Sequence, residues 1–298
     1  MSSGTTNRLL LLAAAVLFST GGAAIKATDL GAWQVASFRS GIAAVALFCL
    51  VKESRRGWAW RLLPPAIAYA ATLVLFVQAN KLTTAANAIF LQSSAPLYVL
   101  VLAPWLLRER VRRSDLLLPL VVAAGLALFF VGRESPAATA PEPGRGNVLG
   151  ALSGVTWALT LTGLRWQGRS AGGSAAAVVV AGNVIVCVAC LGPALPVEGA
   201  GWSDLLVLLY LGVFQIGLAY VFVTRAMGHV PAFEAATLLL LEPVLNPVWA
   251  WLVHGERVSA LALTGGAVIL TATLLNTWRQ TRAATAAMGS AAGKKLRR

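Results

Sequence analysis

A carboxylate stands inside a long apolar stretch of the sequence, LLLLEPVLNPVWAWLVHGERV, where Glu242 precedes Pro243. Asn246 and Trp249 follow at i+4 and i+7, which places the three side chains on one face of a helix. Pro243 removes a backbone hydrogen bond and permits a bend. Such a carboxylate can bind a substrate ammonium or carry a proton; the structural alternative is a hydrogen bond between helices.

Arg39 is the only cation inside an apolar stretch, FRSGIAAVALF. A cation at the centre of a membrane helix costs about 2.5–3.5 kcal/mol on insertion scales, so this side chain needs a partner or a path to the interface. Two interpretations stay open. Arg39 attracts a substrate carboxylate, or it pairs with an acidic residue.

A second polar stripe follows helical spacing, with Asn87, Ser94 and Tyr98 at i, i+7 and i+11 and Pro96 beside them. The stripe predicts one wall of a binding site, and Pro96 predicts a second bend. Five further residues complete a predicted polar and aromatic lining, although each alone is more typical of packing: Trp157, Tyr69, Gln78, Gln215 and Tyr220.

Motifs of intramembrane enzymes and of nucleotide-driven pumps do not occur, since HExxH, GxSxG and GxxxxGK[ST] are missing from the sequence. Cys187 and Cys190 form a CxxC inside an apolar run without further ligands, which favours small core residues over zinc or redox chemistry. We therefore predict no enzyme activity, no metal site and no cofactor.

The composition requires a membrane. Of the 298 residues, 58% are hydrophobic and 12% charged, whereas soluble domains have about 25% charged residues. The net charge of +13 does not indicate nucleic-acid binding, because the cations flank apolar segments as membrane orientation requires.

Spans of about 20 apolar residues cross the hydrocarbon core as helices, and the sequence predicts ten of them. Their predicted bounds are Leu9–Ala27, Trp33–Val51, Leu62–Ala79, Thr83–Leu107, Asp115–Val131, Asn147–Leu164, Gly173–Leu195, Ser203–Val223, Ala232–His254 and Arg257–Thr277. Three prolines predict a non-helical linker at 133–146, and a basic tail occupies 279–298. Of the 24 Lys and Arg, 18 lie on the N-terminal side of the membrane and five on the other, which predicts that both termini and the tail are cytoplasmic and the linker extracytoplasmic.

The chain repeats itself. A shift of 147 residues places Ala85, Leu91, Pro96 and Glu109 on Ala232, Leu238, Pro243 and Glu256, and a shift of 139 pairs Phe18 with Trp157 and Lys26 with Arg165. Residues 1–132 and 147–278 then hold five spans each, and an odd number inverts the second repeat. We expect an all-α membrane protein of ten helices, in two inverted five-helix repeats around a central cavity, which is the architecture of many secondary transporters.

Several of these segments resemble a known family. LLLLEPVLNPVWAWLVHGERV, LQSSAPLYVLVLAPWLLRERV, FQIGLAYVFVTRAMGHVPAFEA, FRSGIAAVALF and the Ala-Ile-Lys that closes the first span resemble the EamA-type ten-helix exporters of the drug/metabolite transporter superfamily, among them bacterial exporters of aromatic amino acids. The resemblance covers residues 9–277. One departure is Arg-Glu-Arg at 108–110, where Gly-Glu-Arg is commoner.

The resemblance implies a monomeric multi-pass protein of the bacterial inner membrane. Its expected function is alternating-access export of amino acids, aromatic and hydrophobic ones first, or of related small metabolites. The alternative is a proton-coupled exporter of drugs or organic cations, which would use Glu242. The expected partners are a small-molecule substrate and the lipid bilayer, with no nucleic acid. Two modes of coupling stay open: proton exchange through Glu242, or facilitated efflux down the solute gradient.

Overall fold

The computed structural model describes residues 3–108, 118–131, 136–272 and 274–275. Within these ranges the regular secondary structure is helical, apart from one isolated bridge between Ala137 and Ala140. Eight described helices are long and apolar enough to cross a membrane, and two shorter apolar helices lie at the predicted fifth and tenth spans.

We number the helices in chain order, and five of them consist of consecutive segments. They are α1 (Ser3–Ser19, Gly21–Lys26), α2 (Ala32–Leu50), α3 (the 3-10 turn Trp60–Leu62 and Leu63–Leu82), α4 (Ala85–Gln92, Ala95–Leu107), α5 (Leu118–Val131), α6 (Pro143–Arg169), α7 (Ala175–Ala194), α8 (Trp202–Tyr210, the π-helical Leu211–Leu218, Ala219–Met227), α9 (Ala232–Leu238, Leu241–His254) and α10 (Ala260–Ala272).

The predicted linker is corrected at one end. Helix α6 begins at Pro143, so residues 143–146 are helical, and it continues to Arg169 rather than ending at Leu164. Proline is compatible with the first helical positions, where its missing N–H has no intrahelical partner to lose. The start of the fifth span, the end of the tenth and the tail at 279–298 lie outside the described residues.

Large apolar side chains cover much of the outer surface. The exposed fractions of four of them lie between 65% and 89%: Leu50, Trp105, Val188 and Leu206. Contiguous apolar surface of this extent suits lipid and not water. The chain is a multi-pass membrane protein whose helices bury their polar groups inward.

Helices from the two halves of the chain interleave. Helix α3 packs most extensively on α6 and α7, α2 packs on α7, and α4 packs on α6, while α1 contacts α8 and α9. The interior is therefore built jointly by both halves.

Two helices break at equivalent positions. Helix α4 is interrupted at Ser93 and Ser94, directly before its second segment, which contains Pro96. Helix α9 is interrupted at Leu239 and Leu240, directly before its second segment, which contains Pro243. The 147-residue shift superimposes the two breaks to within one residue. The prolines thus mark real interruptions of both helices, as their placement predicted.

Helix α1 also breaks, at Thr20, and two glycines follow. A Cβ at Gly21 would lie 2.6 Å from the Gln215 side-chain nitrogen, and one at Gly22 would lie 2.8 Å from both amide atoms of Asn246. These glycines let α8 and α9 bring polar side chains against the backbone of α1.

Candidate functional site

A cavity of about 40 Å³ lies in the interior, next to the breaks in α4 and α9. It holds space for about three water molecules. Both halves of the chain supply its lining, which is Phe18, Arg39, Thr72, Leu73, Phe76, Gln92, Trp157, Gln215, Ile216, Tyr220 and Glu242. Five of the predicted site residues meet here: Arg39, Trp157, Gln215, Tyr220 and Glu242.

A guanidinium and a carboxyl group share this cavity without pairing. Arg39 on α2 is 1% exposed, and its Nε and Nη1 atoms have no hydrogen-bond partner in the described part of the chain. Glu242 on α9 is 7% exposed, and its carboxylate forms no ion pair with any described residue. Buried charges without partners are costly, and they are retained where a ligand completes them.

An aromatic cluster forms the wall beside these charges. The Phe18 and Trp157 rings lie 6.3 Å apart edge to face, and Tyr220 contacts Phe18 at 5.0 Å and Trp157 at 6.4 Å. Phe18 and Trp157 are the pair that the 139-residue shift made equivalent. The two repeats therefore meet at this cavity through matching aromatic residues.

Tyr69 stands one layer behind the lining. Its ring lies 4.9 Å from Tyr220, and its hydroxyl accepts a hydrogen bond from Asn183 Nδ2 at 2.9 Å. Gln215 lines the cavity directly, and its buried Oε1 has no partner among the described residues. Tyr69 thus supports the aromatic wall, whereas Gln215 presents a free acceptor.

Asn246 and Trp249 share the face of Glu242 but lie further along α9. Asn246 is fully buried against Gly22 and Ala85, outside the cavity lining. Trp249 Nε1 donates to Ser19 Oγ at 3.0 Å, in a lateral apolar groove. The structure does not bring these two residues to the cavity.

The predicted stripe on α4 also lies away from the lining. Asn87 Nδ2 donates to Thr83 Oγ1 and to Asn147 Oδ1, both at 3.3 Å, and Ser94 Oγ donates to the Leu91 carbonyl at 2.7 Å. These contacts join α4 to α6 and satisfy the helix break.

Tyr98 and Gln78 do not line the cavity either. Tyr98 is partly buried against the hydrophobic core, and Gln78 lies near the end of α3 with a buried Nε2 that has no described partner. Pro96 and Pro243 face each other across a smaller space of about 10 Å³ that Glu242, Trp157 and Gln92 also line. The two breaks therefore adjoin the cavity.

Phe18, Thr72 and Gln92 line the cavity although they were not among the predicted site residues. Gln92 had a visible signal, since it is an amide inside the apolar stretch LQSSAPLYV. Phe18 could have been found through the repeat, because the 139-residue shift pairs it with Trp157. Thr72 donates to the Ala68 carbonyl at 2.8 Å and had no signal, because threonine in membrane helices commonly bonds the preceding turn.

The sequence profile of the EamA-like transporter family matches residues 7–131 and again residues 144–278. The chain belongs to the EamA-like transporter family. It is a membrane transporter and not an enzyme, as the sequence predicted, and each half of the chain carries one match.

Individual proteins agree with this assignment. The chain is 30% identical over 280 residues to the pseudopaline exporter CntI of Pseudomonas aeruginosa strain UCBPP-PA14, covering 89% of this chain and 93% of that one, and the CntI of strain PAO1 gives the same values. A chain of known crystal structure covers 94% of this chain and 99% of its own length with a TM-score of 0.68 at 19% identity, which shows a common fold.

Proposed function

We propose that the protein exports small zwitterionic metabolites, amino acids with aromatic or hydrophobic side chains first, by alternating access across the bacterial inner membrane. One observation carries this proposal: the guanidinium of Arg39 and the carboxyl group of Glu242 line the same cavity and do not pair. Ten spans in two inverted repeats, with both termini cytoplasmic, belong to the same proposal.

The lining matches the parts of an amino acid. Arg39 offers a guanidinium to the substrate carboxylate, since planar N–H donors fit that group in bidentate geometry. Glu242 offers an acceptor to the ammonium. Phe18, Trp157 and Tyr220 offer ring faces and edges to an aromatic side chain.

The size of the cavity and the helix breaks beside it support alternating access. At about 40 Å³ the cavity is well below the roughly 300 Å³ of small-ligand sites, so the bundle must open to admit a substrate. The breaks in α4 and α9 interrupt one helix of each repeat where Pro96 and Pro243 flank the cavity. We assign these two prolines as the hinges of the movement.

The relatives support export of a small metabolite. CntI carries the name of a pseudopaline exporter, which supports the transport direction and the substrate size without singling out amino acids. The preference for amino acids rests on the paired chemistry of Arg39 and Glu242.

Export of organic cations is the second candidate. Its support is a buried carboxylate beside aromatic rings, which is an arrangement that binds cations. Arg39 in the same cavity repels a ligand that has only positive charge. If transport responds to a pH gradient, we assign that coupling to Glu242 for either class of substrate, and Glu242→Gln is expected to abolish the response. An unchanged response would remove Glu242 from coupling.

The test is uptake into proteoliposomes of a panel of labelled amino acids, organic cations and pseudopaline, with and without a pH gradient. Saturable uptake of amino acids supports the proposal, and the effect of the gradient decides coupling. Uptake of organic cations without amino acids would contradict it and favour the second candidate.

A further inference from the structure

A second buried cluster of charge lies at the end of the bundle where the chain between the two halves passes, which we call the linker end. Lys26 closes α1, and Glu256 follows α9. Lys26 Nζ and Glu256 Oε1 lie 2.8 Å apart, and the two side chains are 5% and 1% exposed. This is the one ion pair between described residues that is buried on both sides.

Each partner also bonds the backbone of another segment of the chain. Glu256 Oε2 accepts a hydrogen bond from the Ala85 N–H at 2.9 Å, at the first residue of α4. Lys26 Nζ donates to the Thr83 carbonyl at 2.9 Å and also to the Thr139 carbonyl in the linker. A carboxylate at a helix N-terminus is stabilised both by the free N–H groups and by the helix dipole.

These contacts tie together parts that an opening movement must separate. Lys26 lies on α1, Ala85 begins the first segment of α4, and Glu256 lies between α9 and α10. The start of α4 and the end of α9 therefore meet in the same cluster. Asn246 is fully buried beneath it, beside Gly22 and Ala85, between the cluster and Glu242 along α9.

The opposite end of the bundle is held differently. Arg8 and Glu234 form a 2.6 Å pair there, but their side chains are 52% and 24% exposed. Arg165, the repeat partner of Lys26, donates to the Met227 carbonyl at 3.1 Å just before α9. Arg165 thus bonds the backbone just before α9, in the same way as Lys26 bonds the Thr83 carbonyl just before α4.

We propose that Lys26, Glu256 and the Ala85 N–H form a latch that holds the extracytoplasmic side of the transport path closed. Opening exchanges the contacts of Lys26 and Glu256 for water, and it frees the first segment of α4 and the end of α9 to move about the breaks. The latch rests on the proposed alternating-access function. Its role is to position helices, and it does not bind the substrate.

The test measures access to a buried position beneath the latch. Cys49, Cys187 and Cys190 are first replaced by serine, and Asn246→Cys supplies the only thiol. A membrane-impermeant maleimide is then added to intact cells and, separately, to inside-out vesicles. No substrate is involved, so failure of the latch is distinguishable from failure of the transport assignment.

Glu256→Gln in this background is expected to speed labelling from outside about tenfold, because it removes the charge that both Lys26 and Ala85 require. Glu234→Gln is the matched control, since it breaks the exposed pair at the other end and should leave the outside rate unchanged. If Glu256→Gln does not yield folded protein, Lys26→Met supports the same measurement.

An unchanged outside rate in a folded Glu256→Gln or Lys26→Met protein would overturn the latch. Acceleration from inside-out vesicles alone would overturn its placement on the extracytoplasmic side. Equal acceleration by Glu234→Gln would also contradict the proposal, because general loosening of the bundle would then explain the effect.

Discussion

Two buried clusters in this transporter contain one cation and one carboxylate each, and they are built in opposite ways. At the linker end, Lys26 and Glu256 pair at 2.8 Å and bond two backbone segments in addition. In the central cavity, Arg39 and Glu242 line one space without pairing. The cation and the carboxylate of the first cluster pair with each other, whereas those of the second form no such pair among the described residues.

The difference separates what holds the fold from what recognises a ligand. Removing one partner of a complete buried pair leaves the other uncompensated, and such changes destabilise proteins by about 3–5 kcal/mol. Removing a charge that has no partner takes away a desolvation cost, so the fold does not suffer. Substitutions in the central cavity should therefore lower transport more than stability, and substitutions at the linker end should lower stability first.

The largest expected effect is on transport by Arg39→Gln. Losing the partner of the substrate carboxylate should lower kcat/KM for labelled phenylalanine by about 100-fold or more, in line with about 3 kcal/mol for a buried charged hydrogen bond. The melting temperature of the purified protein should stay the same or rise. Arg8→Gln serves as the exposed control. Unchanged phenylalanine transport in Arg39→Gln would contradict a role for the unpaired Arg39 in substrate recognition.

Lys26→Met should affect stability first. It strands the Glu256 carboxylate at 1% exposure, and we expect a loss of about 3 kcal/mol in unfolding free energy, seen as a lower melting temperature in detergent. Arg8→Met, which breaks the exposed pair with Glu234, should cost at most about 1 kcal/mol. Equal shifts for the two variants would show that burial does not distinguish these pairs.

Trp157→Leu should sharpen the assignment of the aromatic wall. Edge-to-face contacts are worth about 0.5–1.5 kcal/mol, so the KM for phenylalanine should rise about fivefold to tenfold while the KM for alanine changes little. Competition assays with the two amino acids measure this. A parallel loss for both would assign Trp157 to packing alone.

The smallest effect is expected from Trp249→Phe. It removes the 3.0 Å hydrogen bond to Ser19 and should cost about 1 kcal/mol of stability, with KM and substrate preference unchanged. Thermal melting and uptake kinetics on the same preparation report both. A changed substrate preference would place Trp249 in the transport path after all.

The sequence singled out Arg39 and Glu242 because ionisable groups inside apolar stretches are costly, and both line the central cavity. It also predicted bends in α4 and α9 at Pro96 and Pro243, and both helices break just before these prolines. Proline alone does not locate a break, since Pro104 and Pro247 lie in the same helices without one. The repeat shift brought out Phe18 and Trp157, which meet in the cavity.

The position of a residue along the helix axis, relative to the cavity, was harder to derive from the sequence. Trp249 shares a face with Glu242, but seven residues at 1.5 Å each place it about 10 Å further along α9. Asn246 and Asn87 are displaced in the same way. The pairing of Lys26 with Glu256 was likewise not predicted, because Glu256 next to Arg257 indicates a local pair, and only the packing of α1 on α9 brings Lys26 to it.

The most direct measurement compares three competitors of labelled phenylalanine in proteoliposomes: phenylalanine itself, phenethylamine without the carboxylate and hydrocinnamate without the ammonium. Each is tested on the wild type, Arg39→Gln and Glu242→Gln. We predict that the wild type prefers phenylalanine at least about 100-fold over both analogues. The penalty for losing the carboxylate should vanish in Arg39→Gln, and the penalty for losing the ammonium should vanish in Glu242→Gln. A wild type that binds phenethylamine as well as phenylalanine would contradict zwitterion recognition by Arg39 and Glu242.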